Sequence, residues 1–193
     1  VLEFVMSAPE KLKTALAVYE CWPDIRDDVC GRFLSRLCVR VREDPRLQDL
    51  GSDLTIDCRY DGEPKKRNRL WLHRNAWHCH PNAARSNNPD SEHRWAIRLE
   101  SDGPGPKGWY IGVLAPTKGS DLSEEERDVR VEHFSSLKAN FPRGDIWPPS
   151  WWAWYENLDE KTRDWNRLVP ELERECQEED GPILRSLADR FVA

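Results

Sequence analysis

Leu54-Thr55-Ile56-Asp57-Cys58-Arg59-Tyr60 decides the fold class, because here the hydrophobic period drops to two. Leu54, Ile56, Cys58 and Tyr60 alternate with Thr55, Asp57 and Arg59, the pattern of a strand with one buried face. Outward from it, the turn Asp61-Gly62-Glu63-Pro64 leads to a second strand over roughly Arg69 to Trp77. A third strand sets Trp95, Ile97 and Leu99 inward with Arg94 and Arg98 outward, and a fourth carries Trp109, Ile111 and Val113. The connection Asp102 to Gly108 is too short for a parallel crossover, so residues 54–114 read as a four-stranded antiparallel meander.

Helical spacing surrounds this block. Ser7-x-x-Glu10 matches a capping box ahead of Leu12, Ala15, Leu16 and Tyr19, and Trp22-Pro23 predicts a break. A second helix then carries Cys30, Phe33, Leu34, Leu37 and Val41 up to Asp44-Pro45, making 1–45 a helical pair. In 121–193, Asp121 or Ser123 caps a helix with Glu124, Glu125 and Glu126 in its first turn and Phe134, Leu137 and Phe141 inside. The Trp-rich run 147–155 reads as a connector. It is followed by the box Asn157-x-x-Glu160, a helix from about Asp159 to Glu179 and, after Gly181-Pro182, a final helix. The expectation is one α+β domain over 1–193, its sheet preceded by two helices and covered by C-terminal ones.

Composition narrows the class. A charged fraction of 33 % is high, but 10 Trp, 5 Phe and 4 Tyr among 193 residues supply more large apolar surface than a disordered chain carries, and no run is long enough to span a membrane. The opening Val1-Leu2-Glu3-Phe4-Val5 is no secretory leader, and the stripe Ile183, Leu184, Leu187, Phe191 stops without a helix-ending signal, which predicts a piece cut from a longer chain. Six Cys without any CxxC, with Cys30 and Cys176 on apolar helical stripes, point to free thiols in a reducing cytoplasm.

Catalytic chemistry finds little purchase. His78 and His80 share one face of an extended segment and are weak candidates for a divalent metal, with Cys58, His73 or His93 as remote partners, but no second spaced pair completes a set. Cys79 has no nucleophile signature, and no phosphate-binding glycine loop exists. Glu63-Pro64-Lys65 and Asp159-Glu160-Lys161 resemble a nuclease acid–lysine pair only in spacing, lying in a turn and at a helix start. No cofactor is expected.

Binding signals are stronger. Between Arg59 and Arg74 six bases face two acids, whereas Asp159 to Asp180 holds nine acids and four bases. Lys65, Lys66, Arg67 and Arg69, extended by Arg94 and Arg98, are therefore candidate DNA or RNA phosphate contacts. Trp147-Pro148-Pro149-Ser150-Trp151-Trp152-Ala153-Trp154-Tyr155 is either an exposed aromatic platform or a plug sealing the sheet, and with Trp95 and Trp109 pointing inward the plug is favoured. Trp152 and Trp154 are the candidates for an edge offered to a partner.

The strand pair Arg94–Glu100 and Gly108–Val113, followed by Trp151-Trp152-x-Trp154-Tyr155 and Arg163-Asp164-Trp165, resembles the C-terminal region of bacterial PD-(D/E)XK nuclease-superfamily proteins of prophage and phage-defence type. The resemblance covers most of residues 50–193 and rests on aromatic placement. The family's catalytic acids have no strand-borne counterpart, so no active-site residue carries over. It implies a non-catalytic accessory domain whose nuclease core lies elsewhere on the parent chain. The expected function is thus binding to nucleic acid, to a protein or to the parent chain, with no membrane partner. The alternatives are a metal-dependent nuclease or hydrolase, and an acidic interaction or inhibitor module drawing on the net charge of −6. Purified protein is expected to hold six reduced thiols and no stoichiometric zinc. Thiol titration in denaturant and elemental analysis check this, and a bridge formed without added oxidant contradicts the assignment.

Overall fold

The computed structural model describes residues 2–51, 53–60, 68–74, 77, 95–101, 108–115, 119–135, 141–146, 152–178 and 181–192. The strands are β1 (Leu54–Arg59), β2 (Arg69–Arg74), β3 (Ala96–Ser101), β4 (Trp109–Leu114) and β5 (Trp152–Asn157). The helices are α1 (Leu2–Met6), α2 (Pro9–Arg42), α3 (Pro45–Gln48), α4 (Glu124–Ser135), α5 (Glu160–Arg163), α6 (Val169–Gln177) and α7 (Pro182–Val192). The fold is α+β, and the strands pair antiparallel in the order β1-β2-β3-β4-β5. The meander therefore has five strands, not four. Residues 152–155 of the presumed Trp-rich connector belong to β5, which pairs Trp154 with Val113 and Glu156 with Ile111. Pro148-Pro149 and the intervening α4 disguised it, while β-forming aromatics at alternate positions fit a pleated, half-buried surface.

One face of the sheet holds the main core. Ile56, Leu70, Leu72, Leu99, Trp109 and Ile111 meet Phe33, Leu34, Leu37 and Val41 of α2, Leu172 of α6, and Leu184, Leu187 and Phe191 of α7. At the far end of the same face Phe134 of α4 packs with Trp154 and Ala153, beside Trp95 and Val113. Trp109 stacks on Trp165 with ring centroids 3.9 Å apart, and Phe33 meets Trp165 edge-on at 5.0 Å.

Four helix boundaries differ from expectation. Pro23 does not end a helix but sits inside the 34-residue α2. A proline at that point removes only the bond from its own nitrogen to the carbonyl of Tyr19, and long apolar and charged runs sustain the helix on both sides. Ser7 forms no capping box. Its hydroxyl donates to the Phe4 carbonyl, and α2 starts instead with Pro9 in its first turn behind Ala8. The anticipated helix from Asp159 to Glu179 is two, because Trp165, fully buried against Trp109, occupies a turn between α5 and α6, and Pro170 suits a new helix start. Asn157 closes β5 and caps nothing. Ser123 behaves as read: its backbone N–H and hydroxyl meet Glu126 Oε2 at 2.8 and 2.9 Å, and the Glu126 N–H donates back to Ser123 Oγ.

Polar contacts tie the layers together. Arg32 of α2 pairs with Glu173 of α6 at 2.6 Å, and Arg46 of α3 with Asp189 of α7 at 2.9 Å. Arg46 also donates to the Asp44 carboxyl, holding it down to about 2. The buried Glu156 of β5 is matched by Arg143 at 3.0 Å and by Arg190 of α7.

Helix α7 is capped in trans. The Glu175 carboxylate of α6, 4 % exposed, accepts from Ile183 N at 3.0 Å and from Leu184 N at 2.9 Å, which satisfies the first free amides of α7. Gly181 lets the chain pass, since a Cβ there would run into that carboxylate. Glu175→Ala is expected to lower stability by about 1–3 kcal/mol, with Glu175→Gln recovering part of the loss. Urea unfolding measures this, and a change under about 0.5 kcal/mol for the alanine variant contradicts the cap.

Candidate functional site

The described residues offer two surfaces to weigh: the sheet face turned away from α2, α6 and α7, and the first half of α2. Alternation sends Arg59, Arg69, Trp71, His73, Arg98, Glu100, Tyr110, Leu114, Trp152 and Tyr155 to that second face. The register makes rows of them. One row runs Asp57, Trp71, Arg98, Gly112, Tyr155 across β1 to β5, and its neighbour runs Arg59, Arg69, Glu100, Tyr110, Asn157.

Within these rows Arg69 lies over the Trp71 ring at 5.0 Å, and Arg98 pairs with Glu100 at 3.7 Å. Tyr110 meets Trp152 and Tyr155 edge-on at 5.0 and 6.3 Å. Arg98, Glu100, His73, Tyr110 and Trp152 are buried, whereas Arg59, Arg69, Trp71 and Tyr155 keep part of their surface in solvent. The expected outward, solvated Arg98 is thus a buried cation beside a buried carboxylate.

Of the residues singled out in the sequence, Arg69, Arg98 and Trp152 come together on this face. Trp154 points the other way, into the cluster with Phe134, and both tryptophans are buried. Lys65, Lys66, Arg67, Arg94, His78 and His80 lie outside the described residues. Cys58 and His73, the remote metal partners, stand on opposite faces, since Cys58 pairs with core-facing Leu70 and His73 with Thr55. Among the described residues no three His, Cys, Asp or Glu side chains converge as a metal-holding group.

The second surface includes the stripe that shows helical spacing in the sequence, Leu12, Ala15, Leu16 and Tyr19. Leu12, Leu16, Val18, Tyr19, Trp22 and Ile25 are exposed, Tyr19 by 78 % and Leu16 by 53 %, as are Phe4 and Met6 of α1. Leu12, Leu16, Tyr19 and Trp22 continue along α2 the face that further on carries buried Cys30, Phe33, Leu37 and Val41. The stripe leads into a groove of about 600 Å³ between α2 and the start of α6, lined by Trp22, Ile25, Val29, Val169 and Pro170. Asp24, Asp28 and Glu173 border this groove, with Arg32 held in pairs to Asp28 and Glu173. Helical period alone reports that such a stripe exists, not what covers it.

No family model, no curated protein and no solved structure matches this chain. No helix among the described residues is long and apolar enough to cross a membrane.

Gly112 holds the second face together. A Cβ there would overlap the Trp154 backbone oxygen and stand 2.9 Å from both Tyr155 Cα and the Trp152 ring. Gly112→Ala is expected to cost about 1–3 kcal/mol or more and to change the near-ultraviolet circular dichroism of the Tyr110–Trp152–Tyr155 group. Thermal unfolding with an unaltered aromatic spectrum and a wild-type midpoint contradicts this packing.

Proposed function

We propose that the chain is a non-catalytic binding domain of the cytoplasm, an accessory part of a larger protein, and that it grips a protein partner along the first half of α2. The observation that carries this reading is the run of exposed large apolar side chains on that half, continuous with the face that forms the core in the other half. Contiguous exposed apolar surface of this kind, bordered by polar residues, marks an interaction site. The aromatic Tyr19 and Trp22 are the side-chain types that anchor interfaces.

The matching partner chemistry is an amphipathic helix with basic flanks. Its apolar face would lie along Leu12, Leu16, Tyr19 and Trp22, and its flanking cations would meet Glu20, Asp24 and Asp28. The aromatic resemblance to nuclease-superfamily C-terminal regions supports a parent protein of that kind.

A nucleic-acid reading has its own support in Arg69 laid over Trp71, with Arg59 and Tyr155 also partly exposed on the same face. Stacking surface beside cations is what single strands use. The burial of Arg98 and the overall negative charge weigh against a broad phosphate-contacting face.

The test is affinity purification of the tagged chain from the cells that encode it, after nuclease digestion, comparing wild type with Leu16→Glu/Tyr19→Glu. Both positions are exposed, so far-ultraviolet circular dichroism is expected to stay unchanged. A protein held by wild type, cross-linked to Lys11 or Lys13 and reduced at least about tenfold by the double variant supports the proposal. Retention indifferent to the double variant, or lost on nuclease digestion alone, contradicts it.

A further inference from the structure

Strand β1 runs along the second half of α2, and their contacts form a ladder. The Arg42 guanidinium donates to the Ile56 carbonyl through Nε at 2.9 Å and Nη2 at 2.7 Å. At the other end Tyr60 lies against Gly31, where a Cβ would stand 3.2 Å from the Tyr60 ring, and the Tyr60 hydroxyl donates to Asp27 at 3.2 Å. Cys58 sits between Ile56 and Tyr60 on the same side of the strand, and Cys38 lies one helical turn before Arg42. The ladder therefore sets Cys58 against Cys38 and Ser35.

Cys58 packs against the core cluster that holds Cys38. Cys38 is buried in the core, 2 % exposed, while Cys58 is half-buried at its edge. The neighbouring Cys38 and Ser35 side chains and the Arg42 charge favour the thiolate at Cys58. The Cys38 thiol is pushed up by the neighbouring Cys58 and by burial. The accessible sulfur is thus Cys58, with the buried Cys38 thiol behind it, the arrangement in which oxidation proceeds to a disulfide.

We infer that Cys38 and Cys58 form a dithiol site for hydrogen peroxide or a small organic hydroperoxide. The Cys58 thiolate attacks one peroxide oxygen, the O–O bond breaks, and the departing oxygen takes a proton to leave as water or alcohol. Cys58 is then a sulfenic acid. The Cys38 sulfur attacks Cys58 Sγ and the S–O bond breaks. The hydroxyl leaves as water with the Cys38 proton, so two thiols are oxidised by two electrons while one peroxide is reduced. The disulfide staples α2 to β1. This site is separate from the partner-binding half of α2 and does not depend on that reading.

The full chain is treated with one equivalent of hydrogen peroxide, and thiols and cross-linked peptides are mapped by mass spectrometry, with exposed Cys21 as the internal reference. The expected result is loss of two of the six thiols and a Cys38–Cys58 peptide. Cys38→Ser is expected to stop at a sulfenic acid on Cys58 trapped by dimedone, and the wild-type map stands by itself if that variant does not fold. A map in which Cys58 stays reduced while Cys21 is oxidised, or in which oxidised Cys58 is never joined to Cys38, overturns the proposal.

Discussion

The stack of Trp109 on Trp165, closed by the edge of Phe33, is the contact on which the rest of the structure depends. It joins β4, the turn between α5 and α6, and the second half of α2, and all three rings are fully buried. Such ring pairs add about 0.5–1.5 kcal/mol each beyond the area they bury. Their larger effect is geometric. Trp165 enters the stack from a turn, and the helix resumes at Val169. Phe33 fixes which half of α2 is core. Residues 29–41 are drawn onto the sheet, while large apolar side chains from Leu12 to Ile25 stay exposed.

The strands were readable because a half-buried sheet writes its alternation directly into the sequence, as Leu54 to Tyr60 shows. The strand that escaped notice, β5, lies after a proline pair and a helix, and its run of large aromatics looked like a plug. It is in fact both, since Trp154 seals the helix-covered face and Trp152 the other. Helix ends were less legible. Ser7-x-x-Glu10 and Asn157-x-x-Glu160 have capping-box spacing, yet neither Ser7 nor Asn157 is placed to cap, whereas Ser123-x-x-Glu126 forms the box in full. The motif states what the side chains can do, and the neighbouring packing decides whether they are positioned to do it. Pro23 teaches the same lesson in reverse, a breaker overridden by a long helix on both sides.

Function was harder to read for a related reason. The stripe Leu12, Ala15, Leu16, Tyr19 has the period of a buried face, and nothing in the residues themselves distinguishes a stripe that folds against its own sheet from one left for another molecule. Charge does not separate the two halves either: Glu10, Lys11, Lys13, Glu20 and Asp24 lie on the first half of α2, and Arg26, Asp27, Asp28, Arg32, Arg36, Arg40 and Arg42 on the second. The thiol pair was beyond reach altogether, because it depends on β1 docking along α2 in one register, set by Arg42 on Ile56 and Tyr60 on Gly31. Charge clustering between Arg59 and Arg74 was plain in sequence. Burial changes its meaning at Arg69, which is half-covered and laid over Trp71.

The central claim is that α2 is one unbroken helix through Pro23, half core and half free face. Spin labels placed at positions 13 and 40 through an unnatural amino acid, leaving the native thiols untouched, read this directly by pulsed electron–electron resonance. A continuous helix rises about 1.5 Å per residue, so a single narrow distance near about 40 Å is expected. A distribution centred well below about 30 Å, as from a helical pair folded back at Pro23, contradicts the continuous helix and with it the exposed face assigned to partner binding.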